Sequence, residues 1–219
     1  MKLSKLQIVS ALSLLLLSTS VSAEAQRAKR LIDEVNPFIG TSNFGTTNPG
    51  AVVPNGLMSI TPFNVSGSPE LNKFDKDKRW WSTPYTADNK FFSGFSHVNL
   101  SGVGCPELGS IIVSASSGDL DVDYTHYGSA MSHEQAHPGY YSVELDKHKI
   151  KAEVTATQRT AVSAFTFERG GKSNILVNLG LGLTNESGAT VRFLNDSTIV
   201  GSKLMGTFCY APQAVFNQY

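Results

Sequence analysis

Between residues 111 and 210 the chain runs in short apolar stretches separated by turn-forming residues. At 150–155 the alternation is clear: Ile150, Ala152 and Val154 share one parity, and Lys151, Glu153 and Thr155 the other. A strand sends successive side chains to opposite faces, so this segment reads as a half-buried strand. Strands are predicted over 111–113, 120–124, 140–145, 150–157, 161–167, 174–179, 191–194, 198–200 and 203–210. Ser116-Ser117-Gly118-Asp119, Asp146-Lys147-His148-Lys149 and Arg169-Gly170-Gly171 supply turns between them. Residues 25–34 read as a short helix, while 35–67 are so dense in Gly, Pro, Asn, Ser and Thr that ordered loops with short strands are expected there. Many short strands with almost no amphipathic helix between them predict an all-β fold, an antiparallel β-sandwich over residues 24–219, and not a parallel α/β sheet.

The first 23 residues differ in kind. Lys2 and Lys5 precede an apolar run from Leu6 to Leu17, and small residues end the segment at Val21-Ser22-Ala23. That is the pattern of a secretory signal peptide, and the run is shorter than the ~20 residues of a membrane-spanning helix. The product is expected to be exported, periplasmic or extracellular or at the cell surface, with no membrane span. Export makes the two cysteines, Cys105 and Cys209, candidates for a disulfide. Such a bridge would contribute roughly 4 kcal/mol through its long loop. Two buried free thiols are the other reading. No zinc site is expected, on a reading that finds neither Cys-x-x-Cys nor His-x-x-x-His spacing in the chain.

Composition narrows the function. The 219 residues are 41% hydrophobic and 16% charged, with 18 basic against 18 acidic side chains, enough apolar material for a core and too little charge for a disordered chain. A balanced charge without a Lys/Arg stripe leaves no footprint for nucleic acid. Gly102-Val103-Gly104 continues to Gly109 with the wrong spacing for a dinucleotide loop, and Ser96-His97 lacks the Gly-x-Ser-x-Gly elbow. Asp119, Asp121 and Asp123 would share one face of a strand; a solvated face explains them better than calcium, as no EF-hand frame surrounds them. Residues 91–108 combine aromatic, imidazole, amide, hydroxyl and carboxylate groups with several glycines, a mixture suited to a hydroxyl-rich ligand. Trp80-Trp81 lie in a polar loop, and a flat indole suits the apolar face of a sugar ring.

Five blocks taken together are more specific. Val35-Asn36-Pro37-Phe38-Ile39-Gly40-Thr41, residues 48–56, Gly94-Phe95-Ser96-His97 with 100–105, Ser132-His133-Glu134, and Pro138-Gly139-Tyr140-Tyr141-Ser142-Val143 resemble, in order, the amino-terminal domain of glycoside hydrolase family 92. The resemblance implies an exported, calcium-dependent α-mannosidase, of the α-1,2 type, that removes terminal mannose from glycans with inversion. It also implies a β-sandwich packed on a larger carboxy-terminal (α/α)6 helical barrel, which carries the catalytic acid, the base and most calcium ligands. The chain stops at Tyr219, before such a barrel could begin. An inverting site needs two carboxyl groups ~6.5–9.5 Å apart, and although Glu107 and Glu134 are the best-placed carboxylates, nothing in the sequence pairs them. The resemblance therefore predicts no catalytic residue here, no turnover by this chain alone, and calcium bound mainly by the missing domain. Expected partners are a mannose-containing glycan and the protein's own helical domain. Expected sugar contacts are Gly45, Trp80, Trp81, His97, Phe208 and Cys209. Asn99 departs from the family pattern, standing where many relatives carry a second histidine. The alternative is a β-sandwich module that binds mannose or another glycan without cutting it.

Overall fold

The computed structural model describes residues 30–67, 81–109, 111–168, 170–183, 186–206 and 215–218. Residues 1–34 and 35–219 are separate units. In the first, the described part is a single 3-10 turn, Leu31–Glu34, with Arg30 paired to Asp33 at 2.9 Å. The helix expected at 25–34 is confined to this turn among the described residues; 25–29 lie outside them, as does the segment 1–23.

The second unit is all β. Its strands are β1 Ala51–Val52, β2 Ser59–Phe63, β3 Phe91–Phe92, β4 Gly94–His97, β5 Ile112–Ser117, β6 Ser129–His137, β7 Tyr140–Leu145, β8 Ile150–Ala156, β9 Ala161–Phe167, β10 Ser173–Asn178, β11 Glu186–Asn195, β12 Thr198–Gly206 and β13 Val215–Gln218. One sheet runs β1-β2-β4-β5-β10, a second β3-β6-β7-β8-β9, and β11-β12-β13 form a third. Every pairing is antiparallel. The first two sheets face each other as a sandwich. Ile60, Phe95 and Ala115 from one pack with Met131, Tyr141, Val143, Leu145, Ile150, Ala152 and Val154 from the other. Burying each large side chain contributes about 1.5–3 kcal/mol, and Phe95 adds edge-on contacts to Phe92 at 4.9 Å and Tyr141 at 6.1 Å. A second cluster, Phe63, Val65, Trp81 and Ile112 with Leu181 and Leu183, covers the other face of the first sheet. β2 is consequently buried along its whole length.

The alternation at 150–155 holds: Ile150, Ala152 and Val154 are buried and their neighbours are not. The strand expected at 120–124 is absent, and with it the shared face for Asp119, Asp121 and Asp123. Asp121 Oδ1 accepts from the Asp123 amide at 2.9 Å, and Asp123 Oδ1 from the amide and hydroxyl of Thr125 at 2.9 and 2.7 Å. Short polar side chains that bond backbone two residues on favour turns over ladders. The separate strands expected at 198–200 and 203–210 are one strand, β12, as far as Gly206.

Candidate functional site

Three segments meet beside the first sheet. The Ala87 amide donates to Thr41 O at 2.8 Å, the Asn43 amide to Asp88 Oδ2 at 3.0 Å, and the Gly102 amide to Thr46 O at 2.8 Å. Residues 40–48, 81–89 and 98–105 are thus tied to one another by backbone donors.

The first of these segments is wound tightly. Its turn closes with the Gly45 amide on Ser42 O at 2.8 Å, and a Cβ on Gly45 would lie 1.8 Å from Gly40 O. Gly45 is therefore required for the close approach of two backbones. Asn43 and Phe44 have φ of 52° and 61°, a left-handed conformation that is costly for a side chain as bulky as Phe. Phe44 stacks on Trp81 with ring centroids 5.8 Å apart and planes 22° from parallel. The two rings differ in exposure: Phe44 is 64% exposed and Trp81 9%. The indole expected to face a sugar belongs to the second apolar cluster, and the outward aromatic ring is Phe44.

The segment 98–109 caps the β4–β5 hairpin. Val98 and Leu108 both take positive φ, and an isolated bridge joins Asn99 to Leu108. Asn99 holds this loop: its amide N–H donates to Ser59 Oγ at 2.7 Å, its Oδ1 accepts from Ser96 Oγ at 2.8 Å, and its Nδ2 donates to Ser96 O at 3.0 Å. Half-buried His97 donates from Nδ1 to Ile111 O at 2.9 Å, which leaves the lone pair on Nε2. Burial lowers the His97 pKa, against the opposing pull of that carbonyl, so the ring is neutral near pH 7. Cys105 is in a disulfide. Cys209, the only other cysteine in the sequence, lies outside the described residues, as do Trp80 and Phe208.

The two carboxylates singled out from sequence play different parts. Glu134 Oε2 accepts from Tyr85 OH at 2.7 Å and Tyr141 OH at 2.9 Å, and Oε1 from Lys90 at 3.3 Å. Burial, then the Glu134 charge, pushes both phenols well above the ordinary tyrosine range. Glu134 is committed to the core. Glu107 is 8% exposed, and its Oε1 has no hydrogen-bond partner among the described residues.

The expectation that the chain has no His-x-x-x-His spacing is wrong: it contains His133-Glu134-Gln135-Ala136-His137, the His-Glu-x-x-His spacing of zinc sites. That spacing brings two imidazoles together on a helix, but here it lies on strand β6. His133 bonds Glu144 at 2.9 Å, His137 stacks on Tyr140, and Glu134 is engaged as described. Ser132, His133 and Glu144 do not form a nucleophilic triad either, because serine and carboxylate share one ring nitrogen, Nδ1. Among the described residues no three His, Cys, Asp or Glu side chains gather as metal ligands. A groove of about 350 Å³ on the β11–β12 ribbon, lined by Thr190, Val191, Arg192, Val200, Gly201 and Ser202, has no carboxylate in its wall.

Residues 34–219 match the glycosyl hydrolase family 92 N-terminal domain. The chain belongs to family 92. Among solved structures it is similar to the family GH92 alpha-mannosidase BT3965 from Bacteroides thetaiotaomicron, at 32% identity and a TM-score of 0.70 over 80% of this chain and 24% of that one. That enzyme has also been solved with mannoimidazole. The gh92 family glycosyl hydrolase ccman5 is 26% identical, with a TM-score of 0.63, over 85% of this chain and 25% of that one. An uncharacterized secreted glycosidase of Arthroderma benhamiae is 29% identical over 180 residues, 75% of this chain and 22% of that protein. The chain thus spans about a quarter of the length of these relatives. Among the described residues no helix is long and apolar enough to cross a membrane.

Of the expected contacts, the structure brings Gly45 and Trp81 into one loop cluster and places His97 at the base of the adjoining hairpin.

Proposed function

We propose that this chain is the substrate-contacting β-sandwich of an exported α-mannosidase of the α-1,2 type, which releases terminal mannose with inversion. In this reading residues 1–23 are the signal peptide, and the loop cluster of 40–48, 81–89 and 98–105 forms one wall of a sugar-binding cleft. The acid and base belong to the larger remainder of the enzyme, a helical domain on which this one packs. The observation that carries the assignment is the commitment of Glu134, which is locked by two buried phenols and Lys90 inside the sandwich. An inverting reaction needs one carboxylic acid at the leaving oxygen and one carboxylate on water, ~6.5–9.5 Å apart, and a carboxylate holding three donors inside the sandwich is suited to neither task. The alpha-mannosidase described for BT3965, and its complex with mannoimidazole, support mannose as the sugar.

The described residues do not fit calcium: Asp121 and Asp123 spend oxygens on turn amides, and no three ligands converge. We assign the calcium implied by the family resemblance to the remainder of the enzyme, and no step here depends on it.

Purified residues 24–219, given calcium and an α-1,2-linked mannobiose, should bind the sugar by calorimetry and release no mannose. Measurable release overturns the division of labour. Tight, selective binding by a chain encoded without any further domain supports a free-standing glycan-binding module instead.

A further inference from the structure

We infer that the groove on the β11–β12 ribbon is a binding site for an acidic sugar, with its carboxylate on Arg192 and its ring between the walls of the groove. The inference goes beyond the mannose reading above and takes from it only that the ligands of this chain are glycans. Three rungs of the ribbon build the site: Thr190 opposite Ser202, Val191 opposite Gly201, and Arg192 opposite Val200. Side chains alternate along a strand, so the first and third rungs project to one face and the middle rung to the other. Seen from the first face, the middle rung is a floor of bare backbone between two walls roughly 7 Å apart. Gly201 lets the strands close there, since a Cβ would lie 2.4 Å from Thr190 O. The groove holds about 350 Å³, near the lower end of small-ligand sites, which suits one sugar ring and not an oligosaccharide.

The two walls differ in chemistry. Thr190 Oγ1 and Ser202 Oγ are 3.0 Å apart and share one hydrogen bond, so one O–H of the pair remains to donate outward. Across the floor, Arg192 is exposed and makes no hydrogen bond or ion pair among the described residues. Its planar fork of N–H donors matches the two oxygens of a carboxylate. Val200 beside it is half-buried and offers apolar surface to ring C–H groups. No carboxylate lines the groove, so nothing in its wall competes for the guanidinium or repels an anion. A neutral hexose leaves the guanidinium unanswered, and a small inorganic anion leaves Val200 and the far hydroxyl unanswered. An acidic sugar answers all three, with a carboxylate for the fork, an oxygen acceptor for the free O–H and C–H groups for the valine.

The test titrates residues 24–219 with glucuronate, glucose, acetate and inorganic phosphate at low ionic strength, reading backbone amide shifts by NMR. Glucuronate should move the amides of 190–192 and 200–202 and bind at least tenfold more tightly than the other three, and added salt should weaken it. Arg192→Gln should cost tenfold or more in glucuronate affinity, with no change in the thermal midpoint because the side chain gives the fold no bond. Arg192→Lys keeps the charge but loses the fork, and should cost several-fold, as should Ser202→Ala. Equal binding of glucose overturns the role of the carboxylate. Equal binding of acetate or phosphate overturns the sugar and leaves a surface that takes any anion. Wild-type affinity in Arg192→Gln, or shifts confined to other parts of the chain, overturns the site. A parallel titration with α-1,2-linked mannobiose keeps the two readings apart: mannobiose bound without glucuronate overturns the groove alone, and glucuronate bound without mannobiose overturns the mannose reading alone.

Discussion

The carboxylate of Glu134 sets up a stability experiment whose magnitude can be worked from the structure. It is the shared acceptor of two phenols, Tyr85 at 2.7 Å and Tyr141 at 2.9 Å, both essentially inaccessible to water. Glu134→Ala leaves two buried donors without an acceptor. Each costs about 1–3 kcal/mol, and the partly exposed Lys90 ion pair adds no more than about 1 kcal/mol. The expected loss is about 2–7 kcal/mol. At about 2–4 °C per kcal/mol for a domain of this size, the thermal midpoint should fall by roughly 4–28 °C. Glu134→Gln keeps an acceptor oxygen and should cost less, about 1–2 kcal/mol.

A double-mutant cycle separates this account from a general packing defect. Tyr85→Phe alone removes a donor to a charged acceptor and should cost about 1.5–3 kcal/mol. In the Glu134→Ala background the same change removes an orphaned hydroxyl and should be neutral or stabilising, giving a coupling energy of at least about 1.5–3 kcal/mol. Urea unfolding of the four proteins, followed by circular dichroism, measures each corner. Equal costs for Tyr85→Phe in both backgrounds, or a Glu134→Ala protein within about 1 kcal/mol of wild type, would refute the argument and reopen Glu134 as a group held for chemistry.

Three further outcomes follow from buried titratable groups. Tyr85 and Tyr141 have folded pKa values raised first by burial and then by Glu134; the stability they contribute is fully present below pH ~10 and lost as pH climbs above it, so phenolate absorbance for these rings should emerge only together with unfolding. His148 donates from Nε2 to Tyr127 O at 2.7 Å and accepts the Ser117 amide at Nδ1 at 3.4 Å. Burial holds its pKa below the ordinary value. Its contribution is therefore complete above pH ~6.5 and declines as acid approaches the lower folded value; His148→Gln should flatten the fall of the urea midpoint between about pH 6.5 and 5, whereas an unchanged slope would remove His148 from the explanation. Glu107→Gln removes charge from a buried carboxyl whose Oε1 lacks a partner, so calorimetric melting should show no loss or a gain of up to about 1 kcal/mol; a drop beyond 1 kcal/mol would mean that the carboxylate is held by something it was not seen to touch.

How far the sequence could be read depended on whether one face of each element meets water. β7 and β9 match the predicted 140–145 and 161–167 to the residue, and β8 nearly so, because polar residues such as Ser142, Glu144, Lys151, Glu153 and Thr166 alternate with apolar ones along them. β2, Ser-Ile-Thr-Pro-Phe, is buried on both faces by two clusters, so it carries no alternation, and Pro62 in its middle argues against a strand. β6 hides behind a polar outer row and an irregularity at His133, where φ is 50°. The reverse error at 120–124 has the complementary cause: parity was present, but the aspartates captured the amides that a neighbouring strand would have needed.

The same logic governs the candidate site. The blocks around Gly45, Trp81 and Gly102 are joined in one loop cluster, and several groups in and beside them serve the fold: Asn99 pins a hairpin, Glu134 satisfies two phenols, Gly45 admits Gly40, and Trp81 lies in the second apolar cluster. What joins these loops is set by bonds such as that from the Asn43 amide to Asp88, 45 residues away, a contact that no local pattern encodes.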